Sequence, residues 1–480
     1  MTDAATQIAS ERPPAREVMP PSGDRPGGAR ELMRLAFPLI LSNSVWTLQL
    51  TIDRIMLSRL GEEHVAAAMA AAMLFWTPLS LFQYTASYAT TFVAQYSGAG
   101  RSERVGPVVW QALYFSIVSG FLFLLLLPWT TTFVAIAGHT SRLQALEADY
   151  FVPLAFSVLP TLITAAASSF FAGRGDSWTV LLINAVGLAA NAVLDYALIF
   201  GHWGFPAWGI AGAGWATVVG TWASAMVALT LLALPVYREQ FATLRGWRFE
   251  PALMRRLLYF GLPNGLQTFL DGLAFTVFVL LVGALGEAEL AATSIAFTLN
   301  LLAFLPAMGV AQGVSVLVGQ RLGQDQPALA ERTTWTGLVI STGYMTAVAL
   351  LYLLAPGLLY EMFRGGENTK LQAEVALRVP VLLRFVAFYS LFDSMNLIFA
   401  FALKGAGDTR FVTALSLVLA WPLMVIPTWF AWRYDWGLYW AWAFATAFVV
   451  VLALAFLARF IQGKWKAMRV IEAAPMEALA

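Results

Sequence analysis

Long apolar runs alternate with short polar connections along nearly the whole chain. Twelve of these runs are long enough to cross the hydrocarbon core of a bilayer as an α-helix, which takes about 20 mostly apolar residues. The pattern therefore predicts an all-α polytopic membrane protein with twelve transmembrane helices. The runs lie at roughly 32–60, 65–97, 107–137, 148–172, 178–201, 208–236, 256–285, 290–319, 333–362, 377–403, 411–432 and 437–461.

The first run holds a carboxylate, Asp53, within an otherwise almost wholly apolar stretch. An ionisable group inside a membrane span is costly to bury, so such a residue is by default a candidate for function. Prolines enter this run and three later ones, where they predict a bend that is either static or part of a functional movement. These prolines are Pro38, Pro78, Pro263 and Pro306.

Composition narrows the class further. The chain has 480 residues, of which 59% are hydrophobic and 12% charged, and it has no cysteine. So few charges do not suit a soluble protein of this size. The lack of cysteine excludes disulfides, thiol catalysis and cysteine-ligated metals. The net charge of +1 gives no indication of nucleic-acid binding, because the basic residues lie between apolar runs.

The distribution of Lys and Arg predicts the orientation. With the N-terminus placed in the cytoplasm, most of the 29 Lys and Arg residues fall in cytoplasmic segments. Since cytoplasmic loops carry an excess of these residues, both termini are predicted to be cytoplasmic. Residues 1–31 are rich in Pro, Arg and Gly and lack an apolar core. We expect them to form a disordered cytoplasmic tail, not a signal peptide.

The two halves of the chain repeat one another. Several residues in the first two runs recur 225 positions later, and a Gly-Asp turn recurs 232 positions later. The matched pairs are Pro38 and Pro263, Gly61 and Gly286, Gln95 and Gln320, Gly98 and Gly323, Gly175 and Gly407, and Asp176 and Asp408. The repeat predicts two six-helix lobes, at 32–236 and 256–462, joined by a cytoplasmic linker at 237–255 and followed by a cytoplasmic tail at 463–480.

Both halves begin on the same side of the membrane, so the axis that relates them runs along the membrane normal. The chain has no nucleotide-binding motif. A repeat of this kind predicts a secondary transporter in which two lobes alternate access to a central site.

Polar residues in the first half point to an ion site. Asp53 lies about 9 Å beyond the middle of the first run, and Asp195 lies at a similar depth in the fifth. Asn191 shares a helical face with Asp195, and Thr217 can join them if the small residues of 212–214 let two helices approach closely. The side-chain oxygen atoms of these four residues predict a proton or Na⁺ site. The alternative is that Asn191 and Asp195 only bond neighbouring helices.

Two polar stripes mark the second half. One stripe lies on the helix predicted from the seventh run, and the other lies on the helix predicted from the tenth. We expect both stripes to face the bundle interior or an aqueous cavity. Their members are Asn264, Gln267, Thr268 and Asp271, and then Tyr389, Asp393 and Asn396. Asp271 and Asp393 are therefore expected to meet across the second lobe. A structural bridge from Asp393 to Arg384 is the alternative, but nine helical residues separate them by about 13 Å.

The acids of the two halves do not occupy equivalent positions. Asp53 aligns with Phe278, and Asp271 aligns with Trp46. The sequence therefore predicts two lobes that share a scaffold but not a site.

A substrate cavity for flat, apolar, cationic compounds is also expected, because aromatic rings and Met side chains bind such compounds by stacking and cation–π contact. Alternatively, most of these side chains face lipid or neighbouring helices. The candidates are Gln49, Phe75, Trp76, Asn264, Gln267, Thr268, Phe297, Met308 and Asn396.

Taken together, several motifs resemble the multidrug and toxic compound extrusion (MATE) family, over about residues 33–460. Each motif alone is weak. They are LAFP with Pro38, TIDRIMLSRLG with Asp53, VAQYSGAGR, FFAGRGD, NAVLDYALIFG with Asn191 and Asp195, GIAGAGWAT, LPNGLQTFLDG with Asp271, VLVGQRLGQ, YSLFDSMN with Tyr389 and Asp393, and LKGAGDTR.

The resemblance implies a bacterial plasma-membrane antiporter with two lobes around a central cleft. Such a protein exports organic cations and other drugs in exchange for H⁺ or Na⁺, acts as a monomer, and needs no cofactor. In the NorM-type branch the coupling residues match Asp53, Asp271, Tyr389 and Asp393. In the DinF-type branch they match Asp53, Asn191, Asp195 and Thr217. This chain carries both sets, with Asp271 where a Glu is usual, so the coupling ion stays open.

Other functions fit the residues less well. A flippase for lipid-linked sugars would be expected to have an arginine-rich cavity for pyrophosphate, whereas the charges inside these runs are mostly Asp. A membrane channel has no need of repeat-matched gates. An intramembrane enzyme needs a nucleophile with a base or a metal constellation, and the sequence contains no pattern of that kind.

Overall fold

The computed structural model describes residues 26–136, 139–363 and 369–473. The outer parts of the two predicted tails, at 1–25 and 474–480, lie outside the described residues. Within the described part, the first half of the chain forms ten α-helices. They are α1 (Ala29–Ser58), α2 (Glu62–Ser87), α3 (Ala89–Gly98), α4 (Val105–Leu124), α5 (Thr130–Ile136), α6 (Ser141–Phe156), α7 (Val158–Gly173), α8 (Ser177–Phe200), α9 (Ile210–Leu232) and α10 (Pro235–Gln240).

The second half continues in the same manner, and one π-helical turn (Trp421–Val425) interrupts it. Its α-helices are α11 (Pro251–Leu285), α12 (Glu287–Gly323), α13 (Pro327–Leu354), α14 (Pro356–Glu361), α15 (Thr369–Ala406), α16 (Thr409–Ala420), α17 (Ile426–Arg433) and α18 (Leu438–Ile461).

The prediction of twelve spans is confirmed. In the described residues, eleven helical segments are long and apolar enough to cross a membrane, and α6 with α7 makes a twelfth that bends by 41°. The bend was not predicted within the run at 148–172. Pro160 follows it and has no N–H to donate to the carbonyl of Phe156, so the helix cannot continue its regular ladder there.

The helices pack as two lobes, as predicted from the repeat. Helices α1 to α9 supply most of two apolar cores, and α11 to α18 supply most of a third, to which the first turns of α1 also contribute. Among the helix pairs that make contact between the lobes, the most extensive are α1 with α12, α2 with α11, and α3 with α12. The residue limits of each lobe stay a prediction, because α10 and the start of α11 occupy the predicted linker.

Equivalent turns carry the repeat into the backbone. Gly61 precedes α2 with a φ of 135°, and Gly286 precedes α12 with a φ of 157°. Gly175 and Gly407, at the second pair of matched turns, have φ values of 85° and 108°. Side chains with a Cβ rarely adopt these angles, so glycine is required at each position.

Both described ends of the chain lie at one face of the bundle, which we call the terminal face. Here the guanidinium of Arg321 pairs with Glu31, and Arg469 pairs with Asp325 at 3.0 Å. Residues 464–473 continue past α18 and pack against both lobes, so this part of the predicted tail is folded onto the bundle.

The lobes meet in the half of the bundle next to the terminal face. A Cβ at Gly309 of α12 would lie 2.9 Å from the backbone of Ile40 in α1. A Cβ at Gly265 of α11 would lie 2.1 Å from the carbonyl of Leu81 in α2. Contacts this close seal the bundle at the terminal face.

Candidate functional site

The first lobe gathers four of the predicted site residues. Asp53 lies on α1, Asn191 and Asp195 lie on α8, and Thr217 lies on α9. Asp53 is 4% exposed and Asp195 is 0% exposed. Two carboxyl groups on two different helices are therefore buried together, and their predicted depth in the membrane stays a prediction.

Asn191 connects the members of this cluster. With its amide oriented so that Nδ2 faces the acids, it donates to Asp53 Oδ1 at 3.2 Å and to Asp195 Oδ2 at 3.2 Å. The other amide atom then lies 3.4 Å from Thr217 Oγ1. The hydrogen-bond partners decide this orientation, since the amide oxygen would otherwise face only acceptors. One amide thus serves both carboxyl groups.

Glycines bring the helices of the cluster close enough. A Cβ at Gly220 of α9 would lie 2.8 Å from Asn191 Cβ, and a Cβ at Gly187 of α8 would lie 2.1 Å from Ser224 Oγ. A Cβ at Gly212 would lie 2.6 Å from the carbonyl of Leu198 in α8. Small residues at helix interfaces permit such an approach. Gly212 belongs to the 212–214 stretch that the sequence suggested, whereas Gly187 and Gly220 do not.

The cluster has more acceptors than donors. Asp195 Oδ1 is fully buried and has no hydrogen-bond partner among the described residues. A buried acceptor without a donor costs free energy. A proton or a Na⁺ ion would satisfy this oxygen, and the carboxyl oxygens of Asp53 and Asp195 are ligands that hard cations accept.

The acids of the second lobe have separate partners. Asp271 is half-buried on α11 beside Gln267, and the charged group that acts on it is Lys404 of α15. Asp393 is buried on α15 beside Asn396, with Tyr389 next to it. No hydrogen bond joins Asp271 to Asp393 in the described part of the chain. The expected meeting of these two acids stays a prediction.

The alternative bridge to Arg384 is not formed either. Arg384 is exposed on α15, and within the described ranges it makes no ion pair with Asp393.

The predicted stripe on α11 serves mainly to join helices. Asn264 donates to the carbonyl of Tyr84 in the other lobe at 2.9 Å. Gln267 donates to Ser416 Oγ at 3.0 Å. Thr268 bonds the backbone of its own helix at 3.2 Å. These side chains are held in place by their partners.

The substrate-cavity candidates lie in different surroundings. Phe75 is 7% exposed and packs edge-on against Phe123 at 5.7 Å, so it is a core residue of the first lobe and not the wall of a cleft. Phe297 stacks on Trp442 at 5.0 Å within the second lobe. Trp76 faces Gly272 of the opposite lobe at 3.7 Å from a Cβ there. The remaining candidates, Gln49, Met308 and Asn396, are half-buried.

Lys404 was missed as a site residue. It lies two residues before the end of α15, next to the Gly-Asp turn. This position places it among the Lys and Arg residues from which the orientation in the membrane is predicted. A half-buried lysine acting on an acid in another helix gives no periodic signal in the sequence.

Comparison with known proteins gives concordant matches. The MatE family model matches residues 38–197 and 263–430. A protein of Xanthomonas axonopodis pv. citri (strain 306), named probable multidrug resistance protein NorM, is 31% identical over 424 residues, which is 84% of this chain and 87% of the relative. A protein of Bradyrhizobium diazoefficiens with the same name is 29% identical and covers 82% and 84% of the two chains.

Solved structures share the fold. The outward-facing conformation of a multidrug resistance MATE family transporter of the MOP superfamily superimposes with a TM-score of 0.83 at 20% identity, over 92% of this chain and 97% of the other. The eukaryotic MATE transporter AtDTX14 gives 0.80 at 18% identity, over 91% and 96%.

Proposed function

This chain belongs to the MatE family, and we propose that it is a secondary antiporter that exports drugs or other organic, often cationic, compounds in exchange for H⁺ or Na⁺. The names of its relatives, which include probable multidrug resistance protein NorM, support the substrate class. The coupling ion is proposed from the chemistry of the buried acids.

The observation that carries the proposal is the shared amide of the first lobe. Asn191 holds Asp53 and Asp195 together inside the membrane, while Asp195 Oδ1 stays without a donor. Binding a proton or Na⁺ there removes an unfavourable interaction that the empty site retains. Each positive charge that moves inward through the membrane gains about 2.3 kcal/mol per 100 mV of potential.

The path from ion to lobe movement runs along α1. Its far half carries Asp53 against α8 of the same lobe, and its first turns pack through Ile40 against α12 of the other lobe. A change of charge at Asp53 therefore acts on a helix that belongs to both the site and the lobe interface. An ion that binds one lobe arrangement better than the other shifts the population between them.

We further propose a division of labour between the lobes. The first-lobe cluster binds the coupling ion, because its two carboxyl groups share a donor. The second-lobe acids, Asp271 and Asp393 with Tyr389, recognise the organic cation. Trp76 supports this assignment, since its ring faces Gly272, the residue after Asp271, and an aromatic ring attracts an organic cation.

The orientation completes the proposal. The excess of Lys and Arg assigns the terminal face to the cytoplasm, with both termini inside a bacterial plasma membrane. The sealed terminal face then corresponds to the outward-open arrangement. The transporter is proposed to act as a monomer without a cofactor or nucleic-acid partner. The flippase, channel and enzyme alternatives receive no support from the site described above.

The decisive experiment is exchange of a fluorescent organic cation in proteoliposomes, driven by a pure pH gradient or by a pure Na⁺ gradient. The wild type should respond to one gradient or to both. The D53N variant should lose exchange while it still elutes as a single species. The control is D435N at an exposed turn with a φ of 53°, which Asn tolerates, and it should behave as the wild type. Full exchange by D53N would refute the coupling role.

A further inference from the structure

Two glutamines at equivalent positions of the repeat reach across the lobe interface. Gln95 Nε2, at the end of α3, donates to the carbonyl of Gly405 in the last turn of α15 at 3.0 Å. Gln320 Nε2, at the end of α12, donates to the carbonyl of Gly173 in the last turn of α7 at 2.9 Å. Each glutamine thus caps a helix that belongs to the other lobe.

The capped carbonyls are themselves a matched pair. Gly173 and Gly405 are 232 positions apart, which is the offset of the Gly-Asp turns that follow them. The last carbonyls of an α-helix have no partner within the helix, so an amide from outside is a favourable cap. The repeat therefore builds one contact twice, once in each direction across the interface.

A matched glycine pair allows this contact. A Cβ at Gly98 would lie 2.0 Å from the carbonyl oxygen of Gln320, and a Cβ at Gly323 would lie 2.2 Å from the carbonyl oxygen of Gln95. No side chain fits at either position while the terminal face is closed. Neither glycine has a positive φ, so the requirement comes from the neighbouring lobe and not from the backbone conformation.

The contact is reinforced on one side only. Residues 464–473, which we call the strap, follow α18 and cross to the first lobe. The backbone N–H of Val470 donates to Gln95 Oε1 at 2.8 Å, which fixes both ends of that amide. Among the described residues, the strap makes no such bond to Gln320.

Ion pairs hold the strap at both ends. Lys466 bonds Glu331 at 2.6 Å on the second lobe. On the first lobe, Glu472 accepts from Tyr96 at 2.6 Å and from Arg101 at 2.5 Å. Two further guanidiniums lie close to Glu472, those of Arg104 at 3.5 Å and Arg256 at 3.6 Å.

These partners keep Glu472 charged. Partial burial acts to raise its pKa, but the Tyr96 hydroxyl and the arginines outweigh it and lower the pKa below the usual carboxyl value. A depressed pKa means that the stabilisation is present at neutral pH and is lost only as the pH falls through the lowered value. The strap is therefore docked under ordinary cytoplasmic conditions.

We propose that Gln95 and Gln320 form the cytoplasmic gate of this transporter, and that the strap locks the gate through Gln95 and Glu472. Inward opening requires the release of both caps, and the strap biases the resting molecule toward the outward-open arrangement. Naming the gate cytoplasmic rests on the proposed function. The proposal that the two glutamine contacts hold the lobes together at the terminal face does not depend on that function.

Electron–electron distance measurements between two spin labels test the gate directly. The absence of native cysteine permits labels at E103C and Q326C, two exposed positions on opposite lobes at the terminal face, in the full-length protein in nanodiscs. Relative to the labelled parent, G98A should increase the long-distance population by about twofold or more. G343A has no atom within 4 Å of its new Cβ and should leave the distribution unchanged.

The caps and the strap are tested with the same labels. Q95M and Q320M keep the side-chain length but remove the amide, and each should raise the long-distance population. E472Q should do so as well, and its effect should be smaller in the Q95M background because both act through one contact. Unchanged distributions in G98A, Q95M and Q320M would overturn the gate. An effect of E472Q that is equal in both backgrounds would overturn the lock.

Failure of the proposed function would be visible separately. If distances shift as expected but the wild type exchanges no organic cation under either gradient, the gate stands and the antiport proposal falls. If exchange proceeds normally while the three gate variants keep the parental distances, the gate falls and antiport stands.

Discussion

Asn191 is the residue on which the first-lobe site depends. It gives both carboxyl groups their common donor, and it is oriented from the other side by Thr217. A pair of buried acids held by one neutral amide has little room for a second arrangement. Under the proposed function, we therefore expect the site to bind a single small cation.

The Thr217 hydroxyl provides a sensitive test of this arrangement. T217V keeps the volume but removes the contact with the Asn191 amide, so cation-driven exchange should fall by roughly 3-fold to 10-fold, the usual effect of one hydrogen bond. Exchange rates in proteoliposomes are the measurement.

Thr221, one turn further along α9, is the matched control, because its hydroxyl bonds only the backbone of its own helix, at Thr217 and Val218. T221V should transport nearly as the wild type does. Equal losses in T217V and T221V would mean that the hydroxyl of Thr217 has no special role.

The helices themselves were largely predictable from the sequence. Apolar runs of sufficient length predict spans, and the 225-residue offset predicts two lobes. The break between α6 and α7 was not predicted, because a proline inside an apolar run can either kink a helix or end it. Tertiary packing decides between these outcomes, and one sequence does not contain that information.

The site was predictable where one helix face determined it. Asn191 and Asp195 share a face of α8, and the depth of Asp53 matches theirs. The stripe on α11 was predicted with equal reason, yet Asn264 bonds the other lobe and Gln267 bonds α16. Spacing on a helix gives its polar face but not the neighbour that the face meets. For the same reason Gln95 and Gln320 were matched in the repeat without their partner carbonyls being known.

The packing of α8 against α9 can be tested by a single methyl group. In an exposed helix, replacing Gly by Ala stabilises by about 0.5–1 kcal/mol because glycine loses more chain entropy on folding. At Gly220 the new Cβ would meet Asn191 Cβ at 2.8 Å and the carbonyl of Gly187 at 2.8 Å. Overpacking of this kind costs about 1–3 kcal/mol, so G220A should lower the apparent melting temperature.

In G343A the sign should be reversed, since this glycine of α13 has open space around its Cβ position. Thermal unfolding in detergent compares the two variants. A G220A protein as stable as G343A would show that α8 and α9 can separate without cost, and the close approach would then not hold the cluster together.

At the scale of the whole molecule, the two lobes repeat their helices, turns and gate but not their acids. The position equivalent to Asp53 is Phe278, a fully buried core residue of the second lobe, and the position equivalent to Asp271 is Trp46, which is exposed on α1. Each of these acids in one lobe is therefore matched by an aromatic residue in the other lobe, which is buried in one case and exposed in the other. Under the proposed function, we expect this asymmetry to let an ion act on one lobe while the Gln95 and Gln320 contacts at the terminal face are present in both directions.

Because of this asymmetry, we expect the substitution of Asp53 and the substitution of Asp271 to have different effects on transport. D53N should reduce exchange under either gradient to the level of empty liposomes, because only one of the two carboxyl groups that bind the cation is left. D271N leaves the first-lobe cluster intact and Lys404 in place, so exchange should remain coupled to the same ion. Its affinity for organic cations should fall, because an attractive carboxylate is replaced beside a lysine. Initial rates as a function of drug concentration separate the two effects, since D53N lowers the maximal rate and D271N raises the KM. Coupling retained by D53N and lost by D271N would place the ion in the second lobe and reverse the proposed division of labour.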